Sequence, residues 1–206
     1  MLSLMKMPHL LPVLIGFLLC GSSASAERLR EGDVVFSSSA QGQGEAIIAA
    51  TGSPYTHCGV VFEKNGKLMV IEGVQPVGVT SLEDFKAGSK PGTFLARRLK
   101  TPPEPGKYQA ARAWAMAQIG KNYDARFQWG DDKLYCSELV WKIYQHAGVE
   151  LCKPRQFRDY DLEKPSVQKI INARYGGMEK IPLNEMVVAP SDLASSGQLV
   201  TIPTGP

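Results

Sequence analysis

Chemically reactive side chains are scarce in this chain. Its 206 residues hold four cysteines and three histidines, and aromatic residues make up only 8%. A site that needs a thiol or an imidazole therefore has few places to draw from. No two cysteines stand in a C-x-x-C spacing, and the neighbours His57 and Cys58 would point to opposite faces of a strand. A metal site is not expected on those grounds. Neither sign of charge dominates: 23 Lys and Arg face 20 Asp and Glu, interleaved and not gathered into a stripe, so nucleic-acid binding has no support. Internal repeats are missing, and the 20 Gly and 14 Pro follow no period, which excludes collagen-like, low-complexity and solenoid architectures. The most apolar run, Leu10 to Leu19, falls well short of the roughly 20 residues that cross a bilayer as a helix.

What is present suits one compact unit. A hydrophobic share of 44% against 21% charged supports a continuous core and argues against a disordered chain. Lys6, the run Leu10–Leu19 and the triplet Ala24-Ser25-Ala26 read as a secretory signal peptide over residues 1–26 with an A-x-A cleavage site, and hence as export to a periplasmic or secreted location. Cys20 invites a lipoprotein reading, but Leu19 stands where such signals place a small residue. Residues 27–206 then form a single domain with two histidines, His57 and His146, and three cysteines, Cys58, Cys136 and Cys152. Three is odd, so at least one thiol stays out of any intramolecular disulfide. Cys136 is expected to be free, with Cys58 and Cys152 either both free or joined.

Asp33–Phe36 reads as a short buried strand, and Glu45–Thr51 as a short helix closed by Gly52. The runs on either side of Asn65-Gly66 are rich in β-formers, and that dipeptide supplies the positive φ angles of a type I′ hairpin turn. A two-residue loop sets Gly59 opposite Glu72 and His57 opposite Val74. His57 and Glu72 are then diagonal neighbours on one face, with backbones roughly 7 Å apart, while Cys58 points the other way. Further along, Val77–Thr80 reads as a third strand and Thr80-Ser-Leu-Glu83 as a capping box for a short helix. Thr93–Leu99 reads as a strand, Lys107–Ile119 as a helix stopped by Gly120, and Lys121–Asp124 as a turn. Cys136, Leu139, Val140, Ile143 and Ala147 have helical spacing before Gly148, which puts Cys136 in the first turn of a helix on its apolar side. The remainder from Val149 reads as loop-rich, with helices at Pro165–Arg174 and Ser191–Ser195.

A helix N-terminus lowers a thiol pKa, and an imidazolium neighbour lowers it further. His146 lies on the same helix as Cys136, about 15 Å away at the helical rise, so only His57 can serve. Glu72 is placed to hold its second ring nitrogen. Each residue also has a plainer explanation: Cys136 as a small buried hydrophobe, His57 as a rim histidine, Glu72 as a solvent-facing edge residue. Together they suggest a Cys-His-Glu constellation in which Cys136 attacks an acyl carbon and His57 moves the proton.

The segments GDVVF (32–36), SPYTHCGVV (53–61), VIEGVQPVGVTSLEDF (70–85), GKNYD (120–124) and DDKLYCSELVWKIY (131–144) resemble the YiiX/YebB-type permuted papain-like proteins. These are relatives of the NlpC-type peptidases and of the lecithin:retinol acyltransferases. The resemblance runs over most of residues 32–190, with His57 and Glu72 preceding Cys136 in the permuted order. It implies an α+β fold, in which a small antiparallel sheet or half-barrel bears His57 and Glu72 and packs against the helix that begins near Cys136. It implies Cys136 as nucleophile, His57 as base and Glu72 as the residue orienting the imidazole, with no cofactor. Tyr123 and Tyr135 are candidates for lining the site and equally for core aromatics. Glu138 is a candidate for contacting a substrate amine and equally a first-turn acid favoured by the helix dipole. The expected activity is that of a cysteine amidase or peptidase. Its substrate would be an amide of a cell-envelope peptide, of an N-acyl amino acid or of a lipid-like molecule, met at the cell wall or a membrane surface. The alternatives are a lipid-directed acyltransferase or esterase of the same fold, or a non-catalytic envelope binding domain.

Overall fold

The computed structural model describes residues 28–39 and 43–204, so the expected signal peptide lies outside the described residues. The sheet is built on the hairpin that Asn65-Gly66 dictates. Strands β2 (His57–Lys64) and β3 (Lys67–Glu72) flank the turn, where Asn65 and Gly66 take φ of 53° and 75°, the positive values of a type I′ loop. Gly59 pairs with Glu72 in the expected register. On one side β3 pairs with β4 (Gly78–Ser81); on the other β2 pairs with β1 (Val34–Ser37), β1 with β5 (Leu95–Leu99), and β5 with β10 (Leu199–Ile202). The result is a six-stranded antiparallel sheet in the order β10-β5-β1-β2-β3-β4. The last strand lies in the stretch expected to be loop and helix.

The two faces of this sheet carry different layers. Val34, Phe36, Cys58, Val60, Phe62 and Ile71 face helices α3 (Pro105–Ala117) and α4 (Cys136–His146), burying Ala111, Ala115, Leu139, Val140 and Ile143 with them. The alternate residues Val35, Val61, Val70 and Ala96 face the short helix α2 (Leu82–Ala87), burying Leu82 and Phe85. This alternation is the two-residue period of a sheet covered on both sides. Asp33, at the entry to β1, is fully buried and takes a two-pronged ion pair from Arg98 of β5, with Nε–Oδ1 at 2.6 Å and Nη2–Oδ2 at 2.9 Å. The planar fork fixes the pairing of the two strands geometrically.

A third layer gathers α1 (Gln43–Thr51), α5 (Pro165–Tyr175) and the paired strands β8 (Arg155–Gln156) and β9 (Met186–Val187) beside the start of α4, while α6 (Pro190–Ala194) packs Leu193 into the core with α4. Asn122–Tyr123, expected as a turn, forms strand β6, which pairs in parallel with β7 (Lys133–Leu134). The cap of α2 also differs from expectation by one residue. Ser81, not Thr80, is the N-cap and accepts from Asp84 N–H at 3.0 Å, which leaves the Thr80 hydroxyl free for another partner.

Candidate active site

His57 opens β2 and Glu72 closes β3, so both stand at the same end of the hairpin. The diagonal contact that register demands is made: His57 Nε2 lies 2.5 Å from Glu72 Oε2. Thr80 of β4 donates its hydroxyl to the other carboxylate oxygen. Gly59 faces Glu72 across the ladder, and a Cβ there would stand 2.4 Å from Val70 Cγ1 and 2.7 Å from the Ile71 carbonyl. Only glycine leaves room for this packing. Phe85 stacks on the imidazole with ring centroids 5.7 Å apart, closing its outer side. The carboxylate is 6% exposed, and a buried charge of that kind persists only with such partners.

Cys136 comes from the other side of the sheet. It is the first residue of α4, whose apolar face covers the Cys58 face and not the one that bears His57 and Glu72. The two halves meet because the N-terminus of α4 reaches the strand ends at Gly73. A Cβ on Gly73 would stand 2.7 Å from Cys136 N and 2.8 Å from its Cα. Backbone meets backbone here, with no flexible side chain to give way. Gly73→Ala is therefore expected to push the start of α4 from its seat. A displacement near 1 Å typically costs about a hundredfold in rate. Steady-state kinetics alongside a thermal melt would test this, and an unchanged rate would refute the close-approach argument.

Cys58 lies on the face opposite His57, as expected. That is the side on which α4 packs, and there its thiol reaches Cys136. The Cys136 thiol is held well below its ordinary pKa, first by hydrogen bonding from the Cys58 thiol and then by the imidazolium of His57, which together outweigh burial. Cys58 is pushed up by burial and by the neighbouring thiolate. Burial alone would lower His57, but its bonds to Cys136 and Glu72 win and raise it to about 10. Glu72 is lowered: burial opposes its charge, and the bonds from His57 and Thr80 overcome it. The first turn of α4 has no side-chain cap among the described residues, so its N–H dipoles add to the field on the sulfur. All three described cysteines are free, so Cys58 and Cys152 are not joined.

Beside Cys136 opens a cavity of about 790 Å³ including its mouth, with Tyr123 and Tyr135 in its wall. Both tyrosines expected at the site are thus brought to it, and Tyr135 is a core aromatic as well, 1% exposed and accepting from Val188 N–H at 3.2 Å. Tyr123 is held by Gln75, whose side-chain oxygen accepts from the Tyr123 N–H at 2.7 Å. The Tyr123 hydroxyl accepts from Gln43 Nε2 at 2.7 Å, and Gln43 in turn accepts from Arg174. The buried carboxylate of Asp124 takes the N–H groups of Arg126 and Gln128 at 2.9 and 2.7 Å. That turn presents Phe127 at a φ of 53°, a left-handed conformation that ordinary residues seldom adopt. The ring stands edge-on to Tyr135 and under the Arg174 guanidinium.

Glu138 is not brought to the site. It is fully buried, pairs with Lys142 one turn on at 2.8 Å and accepts from Gly130 N–H at 3.2 Å; burial raises it to about 7 despite those bonds. It does not line the cavity, so the expected contact with a substrate amine is corrected to a tie between α4 and the segment before it. His146 stacks on Trp114, centroids 4.6 Å apart. Thr80, Phe85, Gly73, Gln43 and Arg174 are site residues that the sequence reading missed. The one visible signal was Gly73, immediately after Glu72 in an apolar run.

Residues 28–203 match the family described as permuted papain-like amidase enzyme, YaeF/YiiX, C92 family. The chain is 37% identical over 191 residues to the uncharacterized protein YiiX of Escherichia coli K12, covering 92% of this chain and 94% of that one. A crystal structure of YiiX from Escherichia coli O157:H7 superposes with a TM-score of 0.78 at 37% identity, covering 84% of this chain and 96% of that one. Its title calls that protein a metalloprotein. Among the described residues here, no group of three or more His, Cys, Asp and Glu side chains is arranged to hold an ion, and the donors nearest the thiol are engaged with one another. With its six-stranded antiparallel sheet packed against the helix that begins at Cys136 and a match along nearly the whole described chain, the protein belongs to the permuted papain-like amidases of the YaeF/YiiX, C92 family.

Proposed function

We propose that this protein is an exported cysteine amidase that works through Cys136, His57 and Glu72. One observation carries the reading: a thiol at a helix N-terminus, lowered in pKa, lies against an imidazole whose other nitrogen is held by a buried carboxylate. With Nε2 on Glu72, Nδ1 is the ring nitrogen left for the sulfur. The thiolate attacks the amide carbon, and the resulting oxyanion is met by the Cys136 N–H. The Tyr123 hydroxyl supplies a second donor: it accepts from Gln43, so its own proton is free, and burial keeps it protonated. One donor of this kind is typically worth about 3 kcal/mol of barrier. The C–N bond breaks as imidazolium protonates the leaving amine. Water then adds to the thioester with His57 as base, releasing a carboxylic acid and restoring the starting pair. Glu72 never touches substrate; it keeps the ring in the productive tautomer. Export to the periplasm or exterior, proposed from residues 1–26, would place the substrate in the cell envelope.

The proposal is tested by intact-protein mass spectrometry of the enzyme mixed with acyl anilides. An acyl adduct on Cys136 that hydroxylamine removes is the expected result, and turnover without any adduct would refute it. The pH dependence follows from the shifts. Below the depressed thiol pKa the sulfur is protonated and the rate falls; near pH 10 the imidazolium is lost and with it the acid for the leaving amine. Between these limits the rate is expected to be flat. Iodoacetamide labelling of Cys136 should already be near its plateau at neutral pH, whereas an ordinary thiol of pKa about 8.5 would still gain roughly tenfold per unit.

A further inference from the structure

We propose that Cys58 and Cys136 form an oxidation site for hydroperoxides, in which Cys58 closes a reversible disulfide onto the oxidised nucleophile and takes it out of catalysis. This rests on the cysteine amidase reading and names a regulation of its site. The backbone sets the pair up. Gly59 pairs with Glu72, so one step further along the same register Cys58 stands opposite Gly73, and side chains directly opposite each other share a face of the sheet. The Cβ that Gly73 lacks would lie 2.7 Å from Cys136 N and 2.8 Å from its Cα. The start of α4 therefore fills the side-chain place facing Cys58, roughly 5 Å away by the spacing of opposite residues, a separation that a disulfide spans. The sulfur follows its backbone: Cys136 takes hydrogen bonds from both the thiol and the backbone of Cys58. A strand and a helix start carry the two residues, so the contact does not depend on a loop.

The two thiols divide the chemistry between them. Cys136 is the thiolate and lines the opening through which small reagents arrive, whereas Cys58 is fully buried and keeps its proton. The thiolate attacks one oxygen of hydrogen peroxide and the O–O bond breaks. Sulfur is oxidised to the sulfenic acid, and the peroxide is reduced to hydroxide, which takes the proton held by His57 and becomes water. The Cys58 sulfur then attacks the sulfenic sulfur: the S–S bond forms, the S–O bond breaks, and the Cys58 proton leaves with the hydroxide as a second water. A sulfenic acid with no such neighbour is carried on by more peroxide to the sulfinic acid, which thiols do not reduce.

The test treats fully reduced protein with hydrogen peroxide and reads the product by intact mass and peptide mapping. The expected product is lighter by two hydrogens and linked from Cys58 to Cys136. Iodoacetamide labelling of Cys136 and amide turnover are lost in proportion to the linked fraction, and dithiothreitol restores both. In Cys58→Ala and Cys58→Ser proteins the same treatment is expected to add oxygens at Cys136, with a loss that dithiothreitol does not reverse. Reduced protein that acylates Cys136 but under peroxide forms no such link, or links Cys152 instead, overturns the redox inference and leaves the cysteine amidase reading intact. Failure of acyl anilides to acylate Cys136 in the reduced protein overturns that reading and the redox inference with it. The peptide map of the parent protein decides the matter even where neither Cys58 variant folds.

Discussion

Cys136→Ala is expected to abolish acyl-enzyme formation and to lower amide turnover by at least about ten-thousand-fold, the scale seen when a covalent nucleophile is removed. No other described group can take its place. Cys58 is the nearest thiol, but burial and the neighbouring thiolate raise its pKa, and it sits in the core under α4. The variant should still fold, because Cys136 contributes a small side chain at the rim of the core and α4 is anchored by Leu139, Val140 and Ile143 behind it. A loss of stability of roughly 1 kcal/mol, read as a small drop in Tm, would accompany a complete loss of the mass adduct. Turnover that survives in a folded Cys136→Ala protein would remove the thioester mechanism altogether.

The second large effect is expected from His57→Ala, a fall of about a thousandfold near neutral pH. Two losses combine. The base that accepts the thiol proton and returns it to the leaving amine is gone, and so is the positive charge that helps to hold Cys136 ionised. The thiol pKa should move up, so labelling of Cys136 would acquire the rising pH dependence absent from the parent protein. Glu72 is left 6% exposed with Thr80 as its remaining partner, at a cost of about 1–3 kcal/mol for the orphaned group. It is therefore expected to take up a proton at higher pH than before. A variant that keeps flat, fast labelling at pH 6 would show that the imidazole does not govern the sulfur.

Local rules reached some of this site and stopped at definite points. Asn65-Gly66 fixed the turn, the turn fixed the register, and the register placed His57 against Glu72; each step is a matter of a few neighbouring residues. Cys136 at a helix start followed from spacing alone. The cap is ambiguous in the sequence because Thr80-x-x-Glu83 and Ser81-x-x-Asp84 look alike one residue apart, and only the path of β4 shows that Ser81 takes that role. The choice between the two readings of Glu138 stayed open because its partners, Lys142 and the Gly130 N–H, depend on how the preceding segment folds back. The cavity was out of reach for the same reason. Its walls come from α1, α5, α6 and a two-residue strand, elements far apart in the chain whose apolar residues signal only burial until they are assembled.

Gly73 gives the molecule one more property. The hairpin holding the base and its carboxylate is made by residues close in sequence, whereas the sulfur arrives from a distant segment that must slot its helix start against that glycine. Away from that seat the thiol lacks the Cys58 and His57 partners that lower its pKa and is an ordinary one. Acidity of this thiol is therefore a property of the assembled tertiary structure, and the pH dependence of its labelling reports whether the start of α4 is seated.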